Sequence, residues 1–233
     1  TPNLTNMKQM FVSVEKLQEL DLSSFDTKNV TDMSHMFYNA NSLTLLNLNG
    51  WDTTKVTTME DMFSFCYSLT KLDLSNFNTE NVIDMGFMFG NMQSLEKLDV
   101  SSFDTKNVTT MEDMFYSLSN LKELDLSNFN TENVTNMSAM FGTLESLKEL
   151  DVSGFDTSKV TDMSGMFYCA VYNATTWSIV DLSNWDTSQV TNMNRMFNGC
   201  NGLISLDVSN NSALTELTCS SNKLTSLDLS GNP

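Results

Sequence analysis

One interval governs this sequence. Phe25, Trp51, Phe77, Phe103, Phe129 and Phe155 stand 26 residues apart, and Trp185 follows after 30. The Met-Phe pairs keep the same step from Met10-Phe11 to Met166-Phe167, and Met196-Phe197 resumes the register after a four-residue slip. The shared phrase is L-x-x-L-D-L-S-x-F-D-T-x-x-V-T-x-M-x-x-M-F. A unit this short cannot bury an apolar face alone. Its copies have to stack, each against its neighbours, into a quasi-one-dimensional solenoid.

The hydrophobic period changes halfway through each unit. In LQELDLSSF, Leu20 and Leu22 alternate with Glu19, Asp21 and Ser23, which is the period of a half-buried strand. In VTDMSHMF, Val30, Met33 and Phe37 fall at i, i+3 and i+7 with Met36 beside them, which predicts one face of a short helix. Thr31 is its expected N-cap, repeated as Thr57, Thr109, Thr135, Thr161 and Thr191, with Ile83 the exception. The expected fold is an α/β solenoid, a leucine-rich-repeat superhelix with a parallel β-sheet on one face and short helices on the other. Residues 1–202 carry the 26-residue units. From Leu203 the strand phrase persists without the Met-Phe half, and Asp207 and Asp228 stand 21 apart. Residues 203–233 therefore read as shorter, ordinary leucine-rich repeats that continue or cap the same solenoid. The chain opens on TPNLTNM and stops at LSGNP in mid-pattern, which reads as a piece of a longer protein.

Twelve Lys+Arg against 29 Asp+Glu leave a net charge of −17, which repels phosphate backbones and anionic lipid. Nucleic acid is therefore not an expected partner. No apolar run approaches the roughly 20 residues of a membrane span, so no insertion of this segment is expected. Cys66, Cys169, Cys200 and Cys219 lack CxxC or zinc-ligand spacing. Three of them follow the Met-Phe pair, where a buried free thiol serves as a small apolar residue. Cys169 with Cys200 is the one bridge worth considering.

In a stack every repeat position becomes a column. The column of Thr27, Thr53, Thr79, Thr105, Thr131, Thr157 and Thr187 is expected to satisfy turn backbone groups. The column of Asp73, Asp99, Asp125, Asp151 and Asp181 is expected on the exposed strand face. Neighbouring carboxylates there repel by roughly 0.8 kcal/mol in water. Lys71, Lys97, Lys122 and Lys148, or the adjacent serines, are the expected offset. Recognition belongs where columns vary. One variable column, on the strand face, runs Glu19, Leu45, Lys71, Lys97, Glu123, Glu149. Another, on the predicted helix, runs His35, Asp61, Phe87, Asp113, Ala139, Gly165, Arg195. The insertion YCAVYNATTWSIV holds Tyr172, which has no equivalent elsewhere. The Asp column, Lys71, Lys97, Glu123, Glu149 and Tyr172 are the candidate ligand-binding residues.

The phrases LDLSNFNTENVTNMSAMF at 124–141 and LDVSGFDTSKVTDMSGMF at 150–167 resemble the BspA-like leucine-rich repeat family of bacterial surface proteins. The resemblance covers residues 4–200 and implies a cell-surface or secreted protein that adheres to host, matrix or neighbouring cells. Its partner would be a protein or a glycan. No catalytic motif accompanies it: His35 is the single histidine, and the acids recur as ladders without an asymmetric pair. The expectation is a non-enzymatic binding module with no cofactor. The alternatives are a structural stalk or spacer that presents other domains, and a ladder that binds divalent ions or ice.

Overall fold

The structure is a computed structural model that describes residues 1, 3–168, 185–200, 205–209 and 211–232. Parallel bridges run from Asn6 to Asp32, Thr58, Asp84, Thr110, Asn136, Asp162 and Asn192. Each unit is thus one coil laid in register on the next, and the fold is a repeat solenoid. The insertion delays the register by four residues without breaking it, because Asp162 bridges to Asn192 across it. Tyr172, Asp181 and Cys169 lie outside the described residues, and so does the Cys169–Cys200 pairing.

The predicted short helices are absent among the described residues. The V-T-x-M-x-x-M-F phrase is instead two consecutive tight turns, in which Met36 N–H bonds to Met33 O at 3.3 Å and Ala40 N–H to Phe37 O at 3.0 Å. Two left-handed residues per coil hold this shape, such as His35 at φ 56° with Asn39 at 58°, and Asp113 at 51° with Ser117 at 60°. A left-handed residue interrupts any α-helix. It also turns alternate N–H groups outward along the stack. Met33, His35, Phe37 and Asn39 donate to Thr58, Glu60, Met62 and Ser64 of the next coil at 3.2, 2.7, 2.9 and 2.8 Å. Later coils repeat the pattern. Thr31 does not cap a helix: its N–H bonds to Thr5 O at 2.9 Å and its hydroxyl contacts the same oxygen at 3.3 Å.

The strand face is less regular than expected. Strand β1 (Glu19–Asp21) pairs in parallel with β2 (Leu45–Asn47). Strand β3 (Asn192–Met193) pairs with β5 (Glu216–Leu217), and β4 (Ser205–Asp207) with β6 (Ser226–Asp228), also in parallel. The pairing of β4 with β6 links the tail's shorter repeats to one another, and that of β3 with β5 ties them to the last long coil. Between residues 72 and 152 the LDL and LDV phrases form no strand pairs, so the continuous sheet of the expectation is replaced by these two-stranded pieces.

Side chains and core hold the coils together there. Thr105 Oγ1 donates to Asn130 O at 2.8 Å and accepts the Asn130 N–H at 2.8 Å. Thr27, Thr53 and Thr79 clasp their next coils in the same two-way fashion. The column satisfies turn backbone as expected, but across coils rather than within one. Thr27, Thr53, Thr79, Thr105, Thr131 and Thr157 are buried and Thr187 is half-buried, so the column presents no exposed threonine face. The core is a set of ladders. Phe37, Phe63, Phe89, Phe115, Phe141 and Phe167 stack with ring centroids 5.6–6.0 Å apart, flanked by wholly buried methionines. Where tryptophan replaces phenylalanine, its indole N–H reaches back to a neighbouring coil, Trp51 to Leu22 O at 3.0 Å and Trp185 to Val152 O at 3.1 Å. The Cys66 thiol donates to Phe37 O at 3.2 Å, and burial pushes its pKa up to about 12, so it is an inert packing residue.

Candidate functional site

Asp73, Asp99, Asp125 and Asp151 lie exposed in one column, as do Lys71, Lys97, Glu123 and Glu149. Each of these aspartates has a local task. The N–H groups of Ser75, Ser101, Ser127 and Ser153 bond to the Asp two residues before them at 2.9–3.0 Å, closing the turn at the end of the strand phrase. The hydroxyls of Ser75, Ser101 and Ser153, followed by their N–H groups, hold Asp73, Asp99 and Asp151 below the usual carboxylate range; for Asp125 the Ser127 N–H leads. The carboxylates are therefore offset by the adjacent serines. Corners at Asp26, Asp52, Asp104, Asp156 and Asp186 use the same device. Around the later coils, Glu123, Asp125, Glu149 and Asp151 border one open cleft of about 580 Å³.

The second variable column differs in kind. His35, Asp61, Phe87, Asp113, Ala139, Gly165 and Arg195 all occupy the same left-handed backbone position, with φ between 49° and 62°. The backbone is constant there while the chemistry changes in every coil. Two consecutive small members, Ala139 and Gly165, open a cleft of about 490 Å³ with Asp113 and Glu112 at one end and Arg195 at the other. Stacked coils rise by about 4.8 Å each, so Asp113 and Arg195 stand about 14 Å apart along the stack. Ser138, Ser164, Asn192 and Asn194 line the cleft with hydroxyls and amides, and Tyr116 and Tyr168 border it. The Tyr116 ring packs against Gly142, where an added Cβ would meet it at 2.7 Å. Among the described residues Arg195 forms no ion pair, and the residue is exposed.

Burial pushes the Asp113 carboxyl up to about 7, helped by the neighbouring charges of Glu112 and Asp61. In the unfolded chain the same group titrates near 3.9, at about the usual aspartate value. Its proton is thus lost from the unfolded state first, and stability drains away as pH rises from about 4 to 7. Asp113→Asn is expected to raise the melting temperature at pH 8 by a few degrees, with the gain shrinking to nothing below about pH 4. Thermal unfolding followed at a series of pH values checks this. An equal gain at every pH would mean that the carboxyl is not perturbed.

The structure brings four of the candidate residues, Glu123, Asp125, Glu149 and Asp151, around one cleft and leaves Asp73, Asp99, Lys71 and Lys97 strung along the coils before it. It adds Glu112, Tyr116, Tyr168, Asn192 and Asn194, which the strand-face reading passed over. Their signal in the sequence is the adjacency of Ala139 and Gly165 in a column otherwise mostly filled by larger side chains.

A chain of coils with buried phenylalanine and threonine ladders and variable outward columns defines a repeat protein. The family model described as "Mycoplasma protein of unknown function, DUF285" matches residues 5–123, 89–202 and 151–224, and the chain belongs to that family. Among solved structures it is similar to a leucine-rich repeat protein of Leptospira interrogans, with 16% identity and a TM-score of 0.38 over 99% of this chain. This chain spans 61% of the Leptospira protein's length. It is also similar to a leucine-rich repeat protein of Bacteroides ovatus, with 14% identity and a TM-score of 0.38 over 96% of this chain and 78% of that one. An internalin of Listeria monocytogenes matches with 18% identity and a TM-score of 0.33 over 94% of this chain and 68% of that one. No curated protein matches the sequence. Among the described residues no helix is long and apolar enough to cross a membrane.

Proposed function

We propose that this chain is a non-enzymatic binding module of a bacterial cell surface, of the BspA-like kind, that engages a protein or glycan through the outward faces of its coils. One observation carries the reading. At a single invariant backbone position the side chain changes in every coil, and the two smallest members leave a cleft with acids at one end and a guanidinium at the other. A column under purely structural demand would hold glycine, which takes the left-handed region at no steric cost. Here six of the seven members are not glycine, so the position is spent on side-chain chemistry. Tyrosine rings beside amides and hydroxyls suit a sugar ring or a peptide, since each offers an apolar face and polar edges.

A glycan and matrix-protein array probed with the chain tests this reading, with Ala139→Phe and Arg195→Glu as variants. Phe87 already occupies the equivalent backbone position at φ 54°, so the coil tolerates the phenylalanine that fills the cleft. Both variants are expected to keep the wild-type melting temperature and to lose at least tenfold in binding. Binding that involves Arg195 should also weaken as salt rises. An array with no bound feature would support the stalk instead. Undiminished binding by both folded variants would remove the cleft from the interface. The acidic border of the other cleft, around Asp125 and Asp151, favours a cationic partner there, and Asp125→Asn with Asp151→Asn tests that face separately.

A further inference from the structure

The one histidine of the chain stands in the second variable column, and its surroundings have no part in the proposed cleft. His35 faces the next coil, where Glu60 and Asp61 each present a carboxylate. One ligand atom from each of the three residues lies within 4.8 Å of the others, the one such group among the described residues. The coils are pinned together at this point, because His35 N–H donates to Glu60 O at 2.7 Å. Two further observations show that the polar groups here are not fully satisfied. His35 Nδ1 is buried without a hydrogen bond and stays 3.5 Å from Asp61 Oδ2, beyond a good contact. Burial raises the Asp61 carboxyl above its ordinary range, and the neighbouring charge of Glu60 adds to this, against the pull of His35 and the Ser64 hydroxyl. Buried polar atoms without partners are rare and costly in a finished fold.

We infer that His35, Glu60 and Asp61 form a binding site for a divalent transition metal ion of the zinc class. Ligand atoms about 2.1 Å from a zinc ion lie about 3–3.5 Å from one another. From their present separation of up to 4.8 Å the three donors would have to close to that spacing, with the backbone held by the bond between coils. One imidazole and two carboxylates favour zinc, cobalt or nickel over calcium, which takes six to eight oxygens and gains little from nitrogen. The ion would also relieve the repulsion between Glu60 and Asp61. It would bridge residues from two successive coils and leave coordination positions open to water or to a partner's side chain.

The sole histidine makes the test direct. The imidazole resonances of the chain report His35 and nothing else, so zinc held by exposed acids elsewhere leaves them unmoved. Zinc is expected to bind with a stoichiometry of one at the tight site, to shift both imidazole nitrogens and to raise the melting temperature. Cobalt is expected to give visible absorption, and calcium to do neither. His35→Phe, matched by Phe87 at the same backbone position, is expected to keep its melting temperature in chelator and to bind zinc at least tenfold more weakly. Should that variant fail to fold, Asp61→Asn with unchanged imidazole surroundings serves instead, with the same loss expected. Zinc that leaves the imidazole signals in place, or binds the folded variants as tightly as the wild type, overturns the site. Neither result bears on the cleft at Asp113 and Arg195, which has its own test.

Discussion

Phe115→Ala is expected to cost about 3–5 kcal/mol of unfolding free energy, the range for emptying a large aromatic from a core. Phe115 is fully buried, stacks on Phe89 and Phe141 at 5.9 Å on either side, and meets Phe129 at 6.2 Å. Its loss removes apolar burial and three ring contacts at once. The surrounding coils cannot collapse into the gap, because their spacing is set by five backbone bonds between neighbours, such as those from Met111, Asp113, Phe115, Ser117 and Thr135. The site sits near the middle of the ladder, so the mutation also weakens the interfaces on both sides of its coil, through which the two halves of the stack are coupled. Urea titration is expected to show a lowered midpoint and a broadened or divided transition. Phe11, half-buried at the start of the ladder and stacked on Phe37 on one side, provides the comparison. Phe11→Ala should cost distinctly less. Equal costs at the two positions would contradict nearest-neighbour stacking.

Thr105→Val is the second large effect. The substitution keeps the side chain's shape and removes a hydroxyl that serves Asn130 twice, as donor to its carbonyl and acceptor from its N–H, both at 2.8 Å. Two part-buried backbone groups are left without partners, and the expected loss is about 1–3 kcal/mol. Thr105→Ser keeps the hydroxyl and is expected to recover most of it. The pair of variants separates hydrogen bonding from packing, since valine retains the methyl that serine lacks. Equilibrium unfolding of both measures the difference. If valine proves as stable as threonine, the column contributes packing alone, and the unpaired strand phrases must be held by the core.

Much of this molecule is readable from its residues. The 26-residue step predicts one coil per unit, and the stacked phenylalanines and buried threonines lie where equal spacing puts them. The error in the second half of the coil has a definite cause. Val30, Met33, Met36 and Phe37 face inward on a helix, and they also face inward on two linked turns. Apolar spacing alone cannot tell the two apart. The difference lies in where the N–H groups go. A helix keeps them within the segment, whereas here His35 and Asn39 turn theirs to the coil that follows. The aspartates show a related limit. The sequence presents Asp73 and its equivalents as a column of exposed charge, and the structure adds a local task, since each accepts the N–H of the serine two residues on.

Periodicity therefore settled the number of residues per coil, the vertical register and the membership of the core, because stacked equivalents must share an environment. Which backbone conformation closes each coil, and which variable side chains become neighbours, depended on hydrogen bonds between coils. Those bonds place His35 against Glu60 and Asp61, and they leave open the space over Ala139 and Gly165 between Asp113 and Arg195. A single repeat contains no partner for them, so no single repeat could disclose either site.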